Sequence, residues 1–211
     1  MQPEHPHSET PAERRRLALR EEARRAILDA AAALLVEGGY ERFSMRRLAK
    51  RCRYTAPTIY HYFGDKQRLI DAVLEEHFQR ILARLRRLRR GVDPAQSVRA
   101  QLATFVRFSL DNPTHYRLLS MARPDDAPPP PSAEAARALL EAPLEALRQG
   151  GRLRAGSVEE AVQVLWAVLH GVISLRITYP AEEWVPELEE VALDAMLRGL
   201  IAPAGADGGA P

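Results

Sequence analysis

An all-α fold is predicted by three observations. Apolar residues recur at the helical period in almost every segment, and no run alternates apolar with polar residues as a half-buried strand would. Between Ala12 and Arg123 the only prolines are Pro57, Pro94 and Pro113, each beside a predicted helix start, where a missing N–H costs nothing. With 46% hydrophobic and 27% charged residues in a chain of 211, there is enough apolar side chain to bury a sizeable core.

The first helix has a firm part from about Arg20 through Ile27, Ala31, Leu34 and Leu35 to a stop at Gly38-Gly39, and Thr10, Pro11 and Glu13 offer an earlier start. Residues 1–19 are therefore a flexible basic arm or a helix extension. Two short helices follow. Ser44 can cap Met45 to Arg51 and Thr55 can cap Ala56 to about Tyr62, because each hydroxyl can accept a bond from an N–H that helix geometry leaves unpaired. Asp65 caps a long helix to about Arg90, with Ile70, Leu74, Ile81, Leu85 and Leu88 on its inner stripe and a reach of about 37 Å. Asp93-Pro94 opens a fifth helix through Phe105 and Phe108, and Asn112-Pro113 opens a sixth to about Met121. Arg123 to Ser132 holds five prolines and two aspartates, the composition of a surface loop or a stiff linker. A seventh helix, Ala133 to Gln149, is expected to kink at Pro143 and to stop at Gly150-Gly151. The eighth begins with a Ser157 to Glu160 capping box and runs to about Tyr179, the ninth spans roughly Glu182 to Ile201, and residues 202–211 read as a frayed tail. No unit of 20 to 50 residues repeats.

Charge divides the chain. Residues 1–91 carry 20 Lys and Arg against 12 Asp and Glu, a balance of +8, whereas residues 92–211 carry 10 against 16, a balance of −6. A polyanion-binding module joined to a non-binding body has that asymmetry. Cys52 stands alone, which excludes a disulfide scaffold or a Cys-rich zinc site and fits a reducing compartment; it reads as a small buried hydrophobe. Met1 to Arg16 lacks the apolar core of a secretory signal, so a cytoplasmic location is expected. The longest nearly apolar stretch, Ala161 to Leu175, is 15 residues with Gln163 and His170 inside it, short of the roughly 18 to 20 residues a bilayer span needs. It reads as a buried helix, and no membrane partner is expected.

Two short helices joined at Cys52-Arg53-Tyr54, after a longer helix and before a long one, have the arrangement of a helix-turn-helix module, residues 20–64. The second short helix offers Thr55, Ala56, Thr58, Tyr60, His61 and Tyr62, groups suited to phosphate bonds and close groove approach, with Arg46 at the start of the helix before it. Ile59 and Phe63, four apart, should face inward.

The stretch Arg25 to Ala31, then Gly38-Gly39-Tyr40, Ser44, Leu48-Ala49 and Ala56-Pro57-Thr58-Ile59-Tyr60-His61-Tyr62-Phe63-Gly64-Asp65-Lys66, resembles the DNA-binding domain of the TetR (tetracycline repressor) family over about residues 20 to 75. The resemblance implies an all-α homodimeric transcriptional regulator, usually a repressor, whose C-terminal domain binds a small molecule that weakens operator binding. It places Ser44, Met45, Arg46, Thr55, Ala56, Pro57, Thr58, Tyr60, His61, Tyr62 and Lys66 against double-stranded DNA. Arg46 would reach into the major groove, where a guanidinium can grip guanine with two bonds, and the Ala56 methyl would touch thymine. Ser44, Thr58, Tyr60, Tyr62 and Lys66 would hold phosphates, Lys66 with help from the positive end of the fourth helix. Arg53 stands where the family's turn usually has glycine; at positive φ that costs about 1 kcal/mol, unless Arg53 is itself a phosphate contact or the turn differs.

In the remainder, 65–201, Ala167, Gly171, Ser174 and Thr178 form a stripe of small side chains on the eighth helix, and Leu188, Ala192, Ala195 and Gly199 one on the ninth. Glycine inside a helix costs roughly 1 kcal/mol against alanine. Close approach of a second copy in a four-helix interface would explain it, with packing inside one chain as the plainer reading. The segment Leu165 to Gly171, with Asn112-Pro113 and Tyr116-Arg117-Leu118, is also similar to a C-terminal domain type named after Trp-His-Gly. Phe105, Phe108, Tyr116, Trp166 and His170 are then candidates to line an effector pocket, although a lone His on an apolar face is more often a satisfied core residue. No Glu-x-x-His or His-x-x-x-His pair, phosphate-cradling glycine loop or Gly-x-Ser-x-Gly elbow occurs in the region expected to be ordered, so no metal, cofactor or catalytic set is expected. A helical adaptor and, behind it, an all-α enzyme stay as the alternatives.

Overall fold

A computed structural model describes residues 10–89, 91, 93–120 and 128–203. Among these residues there are nine α-helices: α1 (Pro11–Arg42), α2 (Met45–Cys52), α3 (Ala56–Phe63), α4 (Lys66–Arg86), α5 (Pro94–Asp111), α6 (Pro113–Leu119), α7 (Pro131–Gln149), α8 (Val158–Thr178) and α9 (Leu188–Leu200). The only extended pairing among the described residues is one antiparallel bridge, Leu153 to Ile201. The all-α class expected from the pattern is the class observed.

The chain forms two compact units, one reaching to Leu74 and the other starting at Glu75. In the first, α1 begins at the earlier of its two possible starts. Thr10 accepts from the Glu13 N–H while the Glu13 carboxylate accepts from the Thr10 N–H, a complete capping box that extends the helix as a solvent-exposed segment. Residues 11–19 are thus a helix extension; residues 1–9 lie outside the described ones. Gly39, at φ 68°, breaks the helix where the glycine pair predicted. Ile27, Leu28, Ala31, Leu34 and Leu35 of α1 pack in a core with Leu48 of α2, Ile59 and Phe63 of α3, and Leu69, Ile70 and Val73 of α4, all buried. The first turns of α4 are included, so the division falls about ten residues beyond the expected boundary at residue 64. Past Leu74, α4 stops at Arg86, shorter than its predicted run to Arg90, itself outside the described residues; Arg84, Arg86, Arg87 and Arg89 are exposed.

The core of the second unit joins Val98, Leu102 and Val106 of α5, Tyr116 of α6, Leu144 and Leu147 of α7, Leu165, Leu169 and Ile173 of α8, and Leu193 and Met196 of α9. Helix α7 continues through Pro143. Proline removes the N–H that would bond the carbonyl four residues back, that of Leu139. The Gln101 side-chain amide of α5 donates to that carbonyl at 3.1 Å, so the orphaned acceptor is satisfied across the helix pair. Helix α7 also starts two residues early, with Ser132 donating from N and Oγ to Glu75 at 3.1 and 2.6 Å; residues 123–127 of the expected linker lie outside the described ones. Helix α9 starts at Leu188 rather than Glu182, because Pro186 and a left-handed Glu187 (φ 56°) hold the preceding residues in a loop, where the Trp184 indole N–H donates to the Tyr179 carbonyl. Of the expected tail, Ala202 is held by its N–H bond to the Arg152 carbonyl, and residues 204–211 lie outside the described ones.

Helix α8 corrects an expectation. At 21 residues it is long and apolar enough, by length and composition alone, to cross a membrane, so the 15-residue limit does not exclude a span. It is also not buried all round. Ala161, Leu165, Leu169 and Ile173 face the core, whereas Val164, Trp166, Ala167, Gly171, Ser174 and Leu175 are exposed.

Candidate nucleic-acid interface

Helices α2 and α3 are each eight residues, about 12 Å, a length that fits the major groove. Ser44 Oγ accepts from the Arg47 N–H and Thr55 Oγ1 from the Thr58 N–H, so both predicted caps form. Between the helices Arg53 adopts φ 60°, ψ 28°, the left-handed conformation that the glycine comparison anticipated; its side chain is exposed. Ile59 and Phe63 turn inward as the spacing predicted, and Leu48 with them, which fixes the opposite face outward.

On that outer face the arginines separate by their partners. Arg47 Nη1 donates to the Arg42 carbonyl at 3.2 Å, and Arg51 Nη1 lies 2.6 and 2.8 Å from the two Glu37 carboxylate oxygens. Arg46 is exposed and has no partner among the described residues. Tyr60, 46% accessible, and His61, Pro57 and Thr55 are exposed beside it, with Ala56, Thr58 and Tyr62 half-buried. Thr55 and Thr58 hydroxyls also bond each other at 2.8 Å, which orients both at the start of α3.

Two candidates differ from expectation. Met45 is only 8% exposed and packs in the core, because the first position of this eight-residue helix, three before Leu48, falls on the same inner face; only its backbone is left for DNA. Lys66 is half-buried: its ammonium donates to the Tyr40 carbonyl at 3.4 Å and lies 4.9 Å from the Tyr40 ring and 5.8 Å from the Phe43 ring. Its charge thereby ties α4 to the end of α1. The Tyr40 hydroxyl donates to Gln67 in the same joint.

Three basic residues escaped the sequence reading. Arg20 and Arg24 stand one turn apart on α1 and place their guanidinium groups 6.0 Å from the Tyr62 ring and 5.6 Å from the Phe63 ring. The basic face of α1 therefore runs beside α3. Lys50 is exposed on α2. The i, i+4 spacing of Arg20 and Arg24 was the available signal.

Residues 27–73 match the family described as "Bacterial regulatory proteins, tetR family", and residues 98–200 match "Tetracyclin repressor-like, C-terminal domain". The chain belongs to the TetR family. The matching C-terminal model carries no Trp-His-Gly designation. Among curated relatives, the transcriptional activator FasR of Mycolicibacterium smegmatis is 33% identical over 101 residues, 47% of this chain and 46% of that protein. The transcriptional repressor KstR of Rhodococcus jostii is 43% identical over 63 residues, 30% of each chain. The matched part thus spans less than half the length of these relatives. A TetR family regulator structure from Marinobacter aquaeolei VT8 superposes with a TM-score of 0.71 at 20% identity, covering 88% of this chain and 100% of that one, which establishes the shared fold.

In the second unit of this TetR-family chain, four of the five effector candidates converge. The His170 ring lies 4.8, 5.5 and 5.8 Å from the rings of Trp166, Tyr116 and Phe105, and the Tyr116 hydroxyl is 3.1 Å from His170 Nδ1 and 3.2 Å from its carbonyl. His170 Nε2 is buried without a hydrogen-bond partner. Burial pushes the His170 imidazole down and the Tyr116 phenol up, so both are neutral at pH 7. Phe108 does not join them: it is 3% exposed in a separate cluster with Ile81 and Leu85, against His115 and under Arg84. Tyr116 is itself only 5% exposed, whereas Trp166 is 61% exposed. Two cavities in this unit, of about 600 and about 510 Å³, are lined by other residues, the smaller by Arg117, Arg176 and Trp184 among them.

The small-residue stripes divide by helix. Ala167, Gly171, Ser174 and Thr178 of α8 are all exposed; on α9, Ala195 and Gly199 are exposed and Leu188 and Ala192 half-buried. Nothing stands within 4 Å of where a Cβ would sit on Gly171 or Gly199, so packing inside the chain does not explain either glycine.

Proposed function

We propose that the protein is a cytoplasmic transcriptional regulator that binds a palindromic double-stranded DNA operator as a homodimer, represses from it, and loosens when a small molecule enters its helical C-terminal domain. The observation that carries the reading is Arg46. Of three arginines on α2 it alone is exposed and unpartnered among the described residues, beside the polar outer face of α3. A guanidinium left without a protein partner keeps all its donors for a base edge. Ser44, Thr55, Ala56, Pro57, Thr58, Tyr60, His61 and Tyr62 then take the phosphate and groove contacts around it, and Arg20, Arg24, Lys50 and Arg53 extend the basic surface.

Self-association is supported by the exposed apolar strip of α8 with Val164 and Leu175 beside the small-residue stripe, a surface that a second copy of the same helices would cover. Two reading heads would then meet half-sites whose centres lie about 34–36 Å apart or somewhat more. For the effector, Tyr116, His170, Phe105 and Trp166 form the polar-and-aromatic group best placed to meet a ligand, Phe108 being set aside. Repression is the sign carried by the KstR name and activation that carried by FasR; a promoter-fusion assay with and without the protein decides between them.

The test is binding to genomic fragments retained by the purified protein, followed by anisotropy titration. Arg46→Ala should weaken the selected site by about 1–3 kcal/mol and relax its sequence preference, and Tyr60→Phe should weaken all sequences alike. Affinity should fall steeply with salt. Unchanged binding in both variants refutes the groove assignment, and a shallow salt dependence favours a protein-binding adaptor.

A further inference from the structure

The second unit is built from an acidic part of the chain, yet four of the ten basic residues between positions 92 and 211 line one cavity of about 600 Å³: Arg99, Arg152, Arg154 and Arg198. Local structure explains the convergence. The bridge between Leu153 and Ile201 holds Arg152-Leu153-Arg154 extended, with Arg154 N–H donating to the Leu200 carbonyl and Ala202 N–H to that of Arg152, each at 2.8 Å. In extended chain alternate side chains share a side, so Leu153 packs on the core while Arg152 and Arg154 both reach the cavity. Arg198 comes from the last turn of α9 and Arg99 from α5, whose first turn, at Ala95 and Gln96, also lines the space.

The four guanidinium groups are not equally occupied. Arg99 bonds Asp194 at 2.9 and 3.1 Å and Glu190 at 2.8 Å, and Arg152 bonds Asp93 at 2.7 Å and the Ala202 carbonyl at 3.2 Å. Arg154 and Arg198 are exposed, and neither has an acid partner among the described residues. Arg154 Nη1 donates to the Arg198 carbonyl in the last turn of α9 at 3.0 Å, and both side chains line the cavity. Leu197 and Ile201 add an apolar wall, and the volume lies in the range of small-molecule sites.

We propose that this cavity binds a small anionic amphiphile, its phosphate or carboxylate head bonded by Arg154 and Arg198 and its apolar body laid on Leu197 and Ile201. The site is distinct from the Tyr116–His170 group, and the proposal holds whether or not the ligand alters DNA binding. Charge-assisted bonds from the two exposed guanidinium groups supply the recognition.

Isothermal titration of the full chain with octyl phosphate, octanoate and neutral 1-octanol tests this. At least one of the two anions should bind saturably and octanol should not. Arg154→Ala with Arg198→Ala should weaken the anion at least about tenfold, the order expected for lost charge-assisted hydrogen bonds. Neither replacement strands an acid. Should the double variant melt early, Arg198→Ala alone keeps the Arg154 bond to the main chain and is read the same way. Binding of octyl phosphate alone assigns a phosphoester ligand and of octanoate alone a carboxylic acid, both in support. Octanol binding as tightly as the anions, unchanged affinity in the variants, or no saturable heat from either anion up to about 5 mM overturns the proposal.

Discussion

Arg53 allows the conformational argument to be separated from the electrostatic one. Its φ of 60° and ψ of 28° lie in the left-handed region, where an L side chain crowds the following carbonyl at a cost of about 1–2 kcal/mol. Arg53→Gly removes that strain, but glycine's added freedom in the unfolded chain takes back about 0.4–1 kcal/mol. The net gain is about 0.5–1 kcal/mol, which should raise the melting midpoint by about 1–4 °C. Arg53→Ala is the control, since it deletes the same charge and keeps a Cβ in the same strained conformation. Thermal unfolding followed by circular dichroism should therefore rank Gly above both Arg and Ala. In the DNA titration the two variants should behave alike, each reducing the salt slope by about 1 if the guanidinium meets a phosphate. Equal melting shifts for Gly and Ala would show that charge, not backbone geometry, governs this turn, and the strain reasoning would fail.

Three further outcomes are expected. Burial, then the adjacent His115 and Arg80, push the His77 imidazole down to about 4, against a weaker upward pull from Glu76. The unfolded chain, with its imidazole near 6.5, takes up the extra proton between those values. Stability should therefore be complete above about pH 6.5 and fall by on the order of 2–3 kcal/mol towards pH 4. Urea unfolding of His77→Leu should show a flatter pH profile, and parallel profiles would contradict this. Gly171→Leu meets open space in one chain and should gain about 0.5–1 kcal/mol of helix propensity while dissociating the proposed dimer in sedimentation; an association state unchanged by the substitution would count against α8 as the interface. Gln101→Leu orphans the Leu139 carbonyl at a cost of about 1–3 kcal/mol, whereas in a Pro143→Ala background the restored N–H should take that carbonyl and remove most of the cost. Additive losses in that double-mutant cycle would sink the account of Pro143.

What was legible in the sequence was whatever is decided within one or two helical turns. Thr10, Ser44, Thr55, Asp93 and Ser157 could be read as caps because the N–H each one meets is two or three residues away. The glycine stop at Gly39 and the inward pair Ile59 and Phe63 were readable for the same reason. Errors began where a long-range partner decides. Pro143 leaves the Leu139 carbonyl without its helical donor, and the bond that satisfies it comes from Gln101, 38 residues away from that carbonyl, beyond the reach of local pattern. Phe108 and Tyr116 share an apolar neighbourhood in sequence, but α4 supplies Ile81 and Leu85 to one and α8 supplies His170 to the other, so they separate.

The same distinction governs the candidate site. Arg46, Arg47 and Arg51 are equivalent by composition, and helical geometry alone does not rank them. The ranking comes from the end of α1, whose Arg42 carbonyl and Glu37 carboxylate engage two of the three. Specific readout needs an unengaged donor set, because a guanidinium already bonded to a carboxylate must break that bond before it can meet a base. The partners that occupy Arg47 and Arg51 thus act by exclusion: they leave Arg46 as the one unengaged guanidinium among the three arginines of α2. Exchanging Glu37 for Gln should weaken the hold on Arg51, add non-specific affinity, and narrow the ratio between selected and random DNA, all readable in the same anisotropy titration. An unaltered ratio would mean that the carboxylate's grip on Arg51 has no bearing on specificity.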